Sequence, residues 1–225
     1  MVSAHAGQDD PAGALAACPD FVELDIRRTA DGELVAVHDP EAPGGQPVAA
    51  LSYARLCALA GGPVPRVRDV LALIRGRARG HLDLKVAGGE DEVVRLALDI
   101  LGPGQFVVTT AVDASVAAIR SRFTDADAVP VALSLGRRVS ELRPLPRVRR
   151  CGATWVAVNQ RLALAGVARQ CRQAGLTVMI WTVNGNLDMR YWLAGGRADV
   201  LITDRPAHAI ALRAAAGAVR PAVAP

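Results

Sequence analysis

The sequence predicts a (β/α)8 TIM barrel that forms a single compact domain. Short apolar strands alternate with amphipathic helical segments about eight times in 225 residues, and this alternation indicates a parallel sheet covered by helices. Polar residues follow several strands at their carboxyl ends, which a closed barrel brings together on one face. A doubly wound open sheet is the competing prediction, but it would spread these residues along an edge. We therefore expect a barrel over 1–216 and a flexible tail over 217–225.

Hydrophobic periodicity and the glycine and proline breaks define the individual elements. Strands are predicted over 2–5, 21–27, 34–37, 81–86, 106–110, 129–133, 154–158, 177–181 and 199–203. Helices are predicted over 13–18, 52–60, 66–74, 90–101, 114–122, 162–174 and 187–194, with a last helix starting at Pro206. The arginine- and proline-rich segment between 134 and 150 is predicted to be irregular.

The stretch over residues 21–39 organises the chain. Its first half alternates apolar and polar residues, as a strand does, and places Glu23 and Asp25 one pleat apart on the same face. Two such carboxylates repel each other unless a positive group lies between them, although a solvated strand face also explains the pattern. An Asp-Gly turn at 31–32 then predicts a hairpin whose return strand ends at His38. Two acids and an imidazole at one end of a hairpin indicate a functional site.

A second polar strand end follows in the sequence HLDLK, where Asp83 and Lys85 share one face. Lys85 is the only lysine, and the other 25 basic residues are arginine. A compact ammonium suits a single phosphate oxygen beside a metal ion better than a planar guanidinium does; the alternative is chance placement. His81 shares this face but starts the predicted strand, so we expect it to be structural and far from the catalytic face.

Composition excludes several other classes of protein. The net charge of +4 comes from 26 basic and 22 acidic residues, and aromatic residues make up only 4%. Apart from an arginine cluster between 143 and 150 the basic residues are scattered, which argues against a nucleic-acid partner. The four cysteines lack metal-binding spacing.

No apolar stretch reaches membrane-spanning length and no leader pattern opens the chain, so we expect a soluble, cytoplasmic protein with a small-molecule partner. Its oligomeric state is not predicted.

Six segments in order resemble the glycerophosphodiester phosphodiesterase family over nearly the whole chain. They read AHAG, VELDIRRTADGELVAVHD, VPRVRDVLALI, HLDLK, WTVN and VLITDRP. The resemblance implies a metal-dependent TIM barrel that cleaves a phosphodiester carrying a neighbouring hydroxyl. The products would be an alcohol and a phosphomonoester, formed through a cyclic phosphate.

The resemblance also implies roles for individual residues. A divalent cation, Mg²⁺ or Ca²⁺, would be held by Glu23, Asp25 and Asp83, since hard cations prefer carboxylate oxygens. The acid and base would be His5 and His38, since this chemistry needs groups of the kind that imidazole provides. The substrate would be held by Lys85 at the phosphate, with Trp181 as a wall of the pocket and Arg27 as a further phosphate ligand.

The chain departs from the family pattern at four places. Ala6 stands where the family has arginine, the P-E-N-T glutamate is missing with only Asp9 or Asp10 nearby, Asp83 replaces the usual glutamate, and the loop after His38 is short. Two alternatives therefore stay open. One is a lyase that stops at the cyclic phosphate, as the related sphingomyelinase D enzymes do. The other is a non-catalytic binder of phosphorylated ligands, against which the intact histidine pair argues.

Overall fold

Eight parallel strands close into a barrel in the computed structural model, which describes residues 1–136 and 138–218. The strands are β1 (Val2–Ala4), β2 (Phe21–Arg28), β4 (Arg79–Leu84), β5 (Phe106–Thr110), β6 (Val131–Leu135), β7 (Trp155–Asn159), β8 (Thr177–Trp181) and β9 (Val200–Thr203). Each strand pairs with the next one in this order, and β1 pairs with both β2 and β9. The ring is closed, which confirms the predicted TIM barrel.

Helices connect the strands and cover the outside of the barrel. They are α1 (Pro11–Ala16), α2 (Tyr53–Ala60), α3 (Val67–Ile74), α4 (Glu90–Ile100), α5 (Asp113–Arg122), α6 (Leu145–Cys151), α7 (Gln160–Leu164), α8 (Val167–Gln173), α9 (Asn186–Leu193) and α10 (Pro206–Ala218). No helix among the described residues is long and apolar enough to cross a membrane.

Alternation along β2 separates two apolar regions. Val22, Leu24 and Ile26 belong to the large core between the barrel and its helices. Phe21 points into the barrel, where a second cluster fills the interior with Val107, Ala132, Ala157, Met179, Val200 and Ile202. Further along β2, the inward positions Glu23 and Asp25 are polar and buried. An apolar plug thus supports a polar layer towards the carboxyl ends of the strands.

The predicted hairpin is present as a short antiparallel extension of the barrel. β3 (Leu34–Ala36) pairs with the far end of β2, and Gly32 makes the turn with φ +90°. The segment after β3 carries His38 and then folds over a separate small cluster of buried residues, which we call the satellite cluster. Its members are Val35, Ala42, Val48, Leu51, Leu56 and Val64.

Several local predictions differ from the structure. β6 begins two residues later than expected because Pro130 has no amide hydrogen for the ladder. The helix expected over 162–174 is split into α7 and α8 at Gly166, whose φ is +96°. The segment expected to be irregular holds a 3₁₀ turn (Val139–Leu142) and α6. Residues 219–225 of the predicted tail lie outside the described residues, whereas 217–218 end α10.

Candidate active site

A cavity of about 420 Å³ opens at the carboxyl ends of the barrel strands, a size typical of small-molecule sites. Most of the residues singled out in the sequence line it: His5, Glu23, His38, Asp83, Lys85 and Trp181. A larger groove of about 980 Å³ lies on the outside of the barrel beside α4 and α5 and is lined mainly by charged surface side chains. The candidate residues are in the smaller cavity, as the barrel prediction requires.

Three carboxylates meet at the floor of this cavity. Glu23, Asp25 and Asp83 each place one oxygen within 4.8 Å of the others. Strand register explains the meeting, because Asp25 of β2 pairs directly with Asp83 of β4 and Glu23 is one pleat below. Glu23 and Asp25 are only 3% and 1% exposed, so their charges are largely removed from water.

Lys85 supplies a single positive charge to this carboxylate cluster. Its Nζ lies 2.5 Å from Asp83 Oδ2 and 2.6 Å from Asp25 Oδ1. Burial alone would lower the pKa of Lys85, but the charge of Asp83 and the hydrogen bonds to both aspartates raise it above the ordinary value. Lys85 is therefore a permanent cation, and three carboxylates face one ammonium.

The carboxylates respond differently to that environment. Burial, together with the charges of Asp25 and Asp83, raises the pKa of Glu23 well above its usual range. Burial opposes ionisation of Asp25 as well, but its hydrogen bond and ion pair with Lys85 bring the pKa below the usual value. Glu23 thus takes up a proton more readily than Asp25 does.

The residues present fit a divalent cation. The donors are carboxylate oxygens, as Mg²⁺ and Ca²⁺ prefer, and the three carboxylates, once ionised, carry two more charges than Lys85 compensates. Asp25 Oδ1 is buried and lies 2.6 Å from the Lys85 ammonium, and no other donor among the described residues bonds it. A buried oxygen of this kind is available as a metal ligand.

The segment after β1 fixes two of the carboxylates. Ala6 has a left-handed backbone (φ +48°), and its amide donates to Glu23 Oε2 at 2.6 Å. Gln8 is 1% exposed, and its Nε2 donates to Asp25 Oδ2 at 3.1 Å. Of the two acids considered as substitutes for the missing glutamate, Asp10 caps α1 and Asp9 is exposed. The buried side chain in this segment is the neutral Gln8.

His5 is held by a carboxylate from the other end of the chain. Its Nδ1 donates to Asp204 Oδ1 at 2.7 Å, and Asn184 Nδ2 donates to Asp204 Oδ2 at 2.5 Å. Because Nδ1 carries the hydrogen in this arrangement, Nε2 of the neutral ring has a free lone pair. His5 is therefore suited to accept a proton, and its side chain is 31% exposed.

His38 occupies a more open position at the rim. Its side chain is 64% exposed, and Nδ1 lies 3.0 Å from Asp39 Oδ1. Arg27 donates from Nε and Nη2 to the carbonyl oxygen of His38, at 3.2 and 2.7 Å. The structure thus places Arg27 against the loop that carries His38 and not among the residues that line the cavity.

Trp181 ends β8 and forms one wall of the cavity. Its Nε1 donates to the carbonyl oxygen of Ala157 at 3.0 Å, which fixes the indole ring. Ala157, Val112 and Ile202 continue this apolar side of the cavity. The site thus has a charged half, built from the carboxylates and Lys85, and an apolar half beside Trp181.

The expectation that His81 lies far from the catalytic face is wrong. The side chain is buried, yet it lines the cavity one layer below Asp83. β4 starts at Arg79, so His81 is the third residue of the strand and not the first. Burial lowers the pKa of His81 to about 4, and the ring is neutral at physiological pH.

Comparison with known proteins agrees with the fold. The model of the "Glycerophosphoryl diester phosphodiesterase family" matches residues 81–208, more than half of the chain. The chain belongs to this family. The predicted family and its phosphodiesterase class are thereby confirmed. Comparison with curated proteins finds no match.

Solved structures of glycerophosphodiester phosphodiesterases share the barrel. One from Parabacteroides distasonis is 17% identical with a TM-score of 0.78, over 96% of this chain and 97% of that one. A second, described as putative, from Agrobacterium tumefaciens is 21% identical with a TM-score of 0.79, over 95% and 97%. An Oleispira antarctica phosphodiesterase in complex with the product sn-glycerol-3-phosphate is 16% identical with a TM-score of 0.76, over 94% and 96%.

The family match covers only part of the candidate site of this phosphodiesterase-family chain. The match begins at His81 and includes Asp83, Lys85 and Trp181. The residues from the first strands, such as His5 and Glu23, lie outside the match, and the closed barrel brings them to the same cavity. Sequence reasoning missed Gln8 and Thr109 as parts of the site, and it noted Asp204 only as a polar residue at a strand end that could merely shape a loop. The folded chain is needed to show that these residues contact Asp25, Asp83 and His5.

Proposed function

We propose that this protein hydrolyses a glycerophosphodiester, or a related phosphodiester with a vicinal hydroxyl, to an alcohol and a phosphomonoester. The observation that carries the proposal is one cavity lined by the imidazoles of His5 and His38, by two members of the carboxylate cluster and by the only lysine of the chain. Family membership supports the reaction class.

The carboxylate cluster would bind the divalent cation through Glu23, Asp25 and Asp83, and Lys85 would hold a phosphate oxygen beside it. Bound there, a cation such as Mg²⁺ or Ca²⁺ supplies neutralisation of the charge that develops on the phosphoryl oxygens. Lys85 adds to this effect, since its ammonium already lies between two carboxylates and points into the cavity.

His5 is the proposed base because Asp204 orients its ring and leaves Nε2 free. The substrate's hydroxyl loses its proton to Nε2 and its oxygen attacks phosphorus, which forms the cyclic phosphate. His38, at the open rim, gives a proton to the departing alkoxide oxygen as its bond to phosphorus breaks. Water then opens the ring with the two proton transfers reversed. Arg27 keeps the His38 loop in place through the carbonyl oxygen of His38.

Phosphorus NMR of the purified protein with Mg²⁺ or Ca²⁺ and a panel of glycerophosphodiesters tests the proposal. A phosphomonoester that forms only with metal and with both histidines is the expected result, so His5→Ala and His38→Ala should be inactive. His208→Ala is the matched control, because His208 lies in α10. A lasting cyclic phosphate would identify a lyase. Intact diesters that nevertheless protect the fold against heat would contradict catalysis and indicate a binder.

A further inference from the structure

A chain of four polar side chains crosses the barrel interior below the carboxylate cluster. Ser3 Oγ lies 3.0 Å from His81 Nδ1, and His81 Nε2 lies 3.1 Å from Thr109 Oγ1. Thr109 Oγ1 in turn donates to Asp83 Oδ1 at 2.7 Å. The first three members are 0%, 3% and 2% exposed, so bulk water does not compete for their hydrogen bonds.

The direction of each hydrogen bond follows from its end point. Asp83 is a carboxylate and only accepts, so Thr109 must give its hydroxyl hydrogen to Asp83. The Thr109 oxygen can then accept from His81 Nε2–H, and the bare Nδ1 accepts from the Ser3 hydroxyl. All four groups are satisfied only in this direction, which leads from Ser3 on β1 to Asp83 on β4.

We propose that Thr109 and His81 are positioning residues that set the orientation of the Asp83 carboxylate for cation binding. The inference rests on the proposed function of the carboxylate cluster as a cation site. Thr109 holds Oδ1 of Asp83, and Lys85 lies 2.5 Å from Oδ2. Fixing Oδ1 leaves Oδ2 turned towards Lys85, Asp25 and the cavity.

The choice of residue types supports this role over simple packing. Elsewhere the barrel interior is filled by apolar side chains such as Val107 and Met179, and burying an imidazole requires partners for both of its nitrogens. His81 has these partners in Ser3 and Thr109. A polar chain that ends on a metal-binding carboxylate restricts that ligand's rotation, and losing such a partner typically weakens metal binding about 10- to 100-fold.

Titration calorimetry of the metal-free protein with Mn²⁺, in the absence of substrate, tests the inference directly. Thr109→Val removes the hydroxyl at nearly constant volume and should weaken binding about tenfold or more, whereas Thr109→Ser keeps the hydroxyl and should bind within about threefold of the unchanged protein. Thr110→Val is the matched control on the same strand, because the Thr110 hydroxyl accepts from the Val112 amide and donates to no carboxylate among the described residues.

Two substitutions at His81 test the roles of its two ring nitrogens separately. His81→Gln retains a donor near the position of Nε2 and should preserve Mn²⁺ affinity, whereas His81→Asn retains one only near Nδ1 and should weaken binding several-fold. Circular dichroism and thermal melts in chelator establish that each variant is folded. If Thr109→Val does not fold, the Gln and Asn pair gives the answer.

Each outcome supports or overturns the inference. Equal Mn²⁺ affinity for Thr109→Val and the unchanged protein, or for His81→Asn and His81→Gln, would overturn the positioning role alone. An unchanged protein that binds no Mn²⁺ would overturn the proposed cation site and the inference with it. Loss of affinity in Thr109→Val with recovery in Thr109→Ser would establish that the hydroxyl acts on the ligand.

Discussion

His5 and Asp204 are 199 positions apart in the chain, yet their side chains lie 2.7 Å from each other. The contact exists because β1 pairs with β9 where the barrel closes. An imidazole that gives its Nδ1 hydrogen to a carboxylate keeps one tautomer and is stabilised when it becomes protonated. The base of the proposed reaction is therefore assembled from the two ends of the fold.

Asp204→Asn should lower kcat by roughly 10- to 100-fold. An amide can donate to Nδ1 and so favour the tautomer whose Nε2 already carries a hydrogen. The effect is smaller than for a fully buried pair because Asp204 is 51% exposed and water screens the interaction. Steady-state kinetics with the best diester of the panel measures it.

Asp39→Asn provides the matched comparison, since Asp39 contacts His38 in the same way but is 80% exposed. Its kcat should change less than about threefold. Equal losses in the two variants would contradict a special role for the contact between His5 and Asp204.

Lys85→Met should destabilise the metal-free protein at neutral pH by roughly 2–4 kcal/mol, because it leaves buried carboxylates without their cation. Chemical denaturation in chelator measures the difference. Addition of Mg²⁺ or Ca²⁺ should restore part of the lost stability while diester cleavage stays low. A variant as stable as the unchanged protein in chelator would show that Lys85 does not compensate the carboxylate cluster.

Glu23→Gln should flatten the pH dependence of stability in chelator. The pKa of Glu23 is raised in the folded protein, so the folded state binds more protons than the unfolded state between the usual glutamate value and the raised one. Stability linked to this group is present below the usual value and is lost as pH rises through the raised pKa. The glutamine variant should therefore be more stable than the unchanged protein above that window and similar below it.

Denaturation midpoints between pH 4 and 8 check this prediction. With Mg²⁺ or Ca²⁺ present the order should reverse, because the glutamine variant has lost a ligand and gains less from the cation. The same pH slope in both proteins would contradict an abnormally protonated Glu23.

Trp181→Ala should raise KM for the diester roughly tenfold with a small change in kcat, since it removes an apolar wall and not a group that handles protons. The KM of Trp181→Phe should lie between those of the unchanged protein and Trp181→Ala, because phenylalanine keeps a ring but loses the hydrogen bond to the Ala157 carbonyl. A loss confined to kcat would place Trp181 nearer to the reacting atoms than the cavity geometry indicates.

Local patterns made much of the molecule predictable. The alternation of polar and apolar residues in β2 placed Glu23 and Asp25 on the inner face, and the Asp-Gly turn predicted the hairpin that leads to His38. These features depend on neighbours in sequence, so periodicity and turn chemistry were sufficient. The family model and the closed strand order confirmed the family and the barrel.

The supporting residues could not be predicted because their partners come from distant strands. Thr109 meets Asp83 only through the pairing of β4 with β5, and Asp204 meets His5 only through barrel closure. His81 was placed wrongly because the arginines and glycines before it hide the start of β4 at Arg79. Arg147 belongs to the arginine cluster between 143 and 150, and in the structure it donates to Asp113, Glu141 and the Ala111 carbonyl.

Because of the satellite cluster, we expect the segment that carries His38 to unfold at a lower temperature than the rest of the site. Its six buried side chains are separate from the main core, and small peripheral units of this kind open at a lower free energy than the whole domain. Heating would release the rim histidine while the barrel and carboxylates remain folded. If His38 donates the proton as proposed, we expect activity to be lost at a temperature below the melting temperature of the barrel.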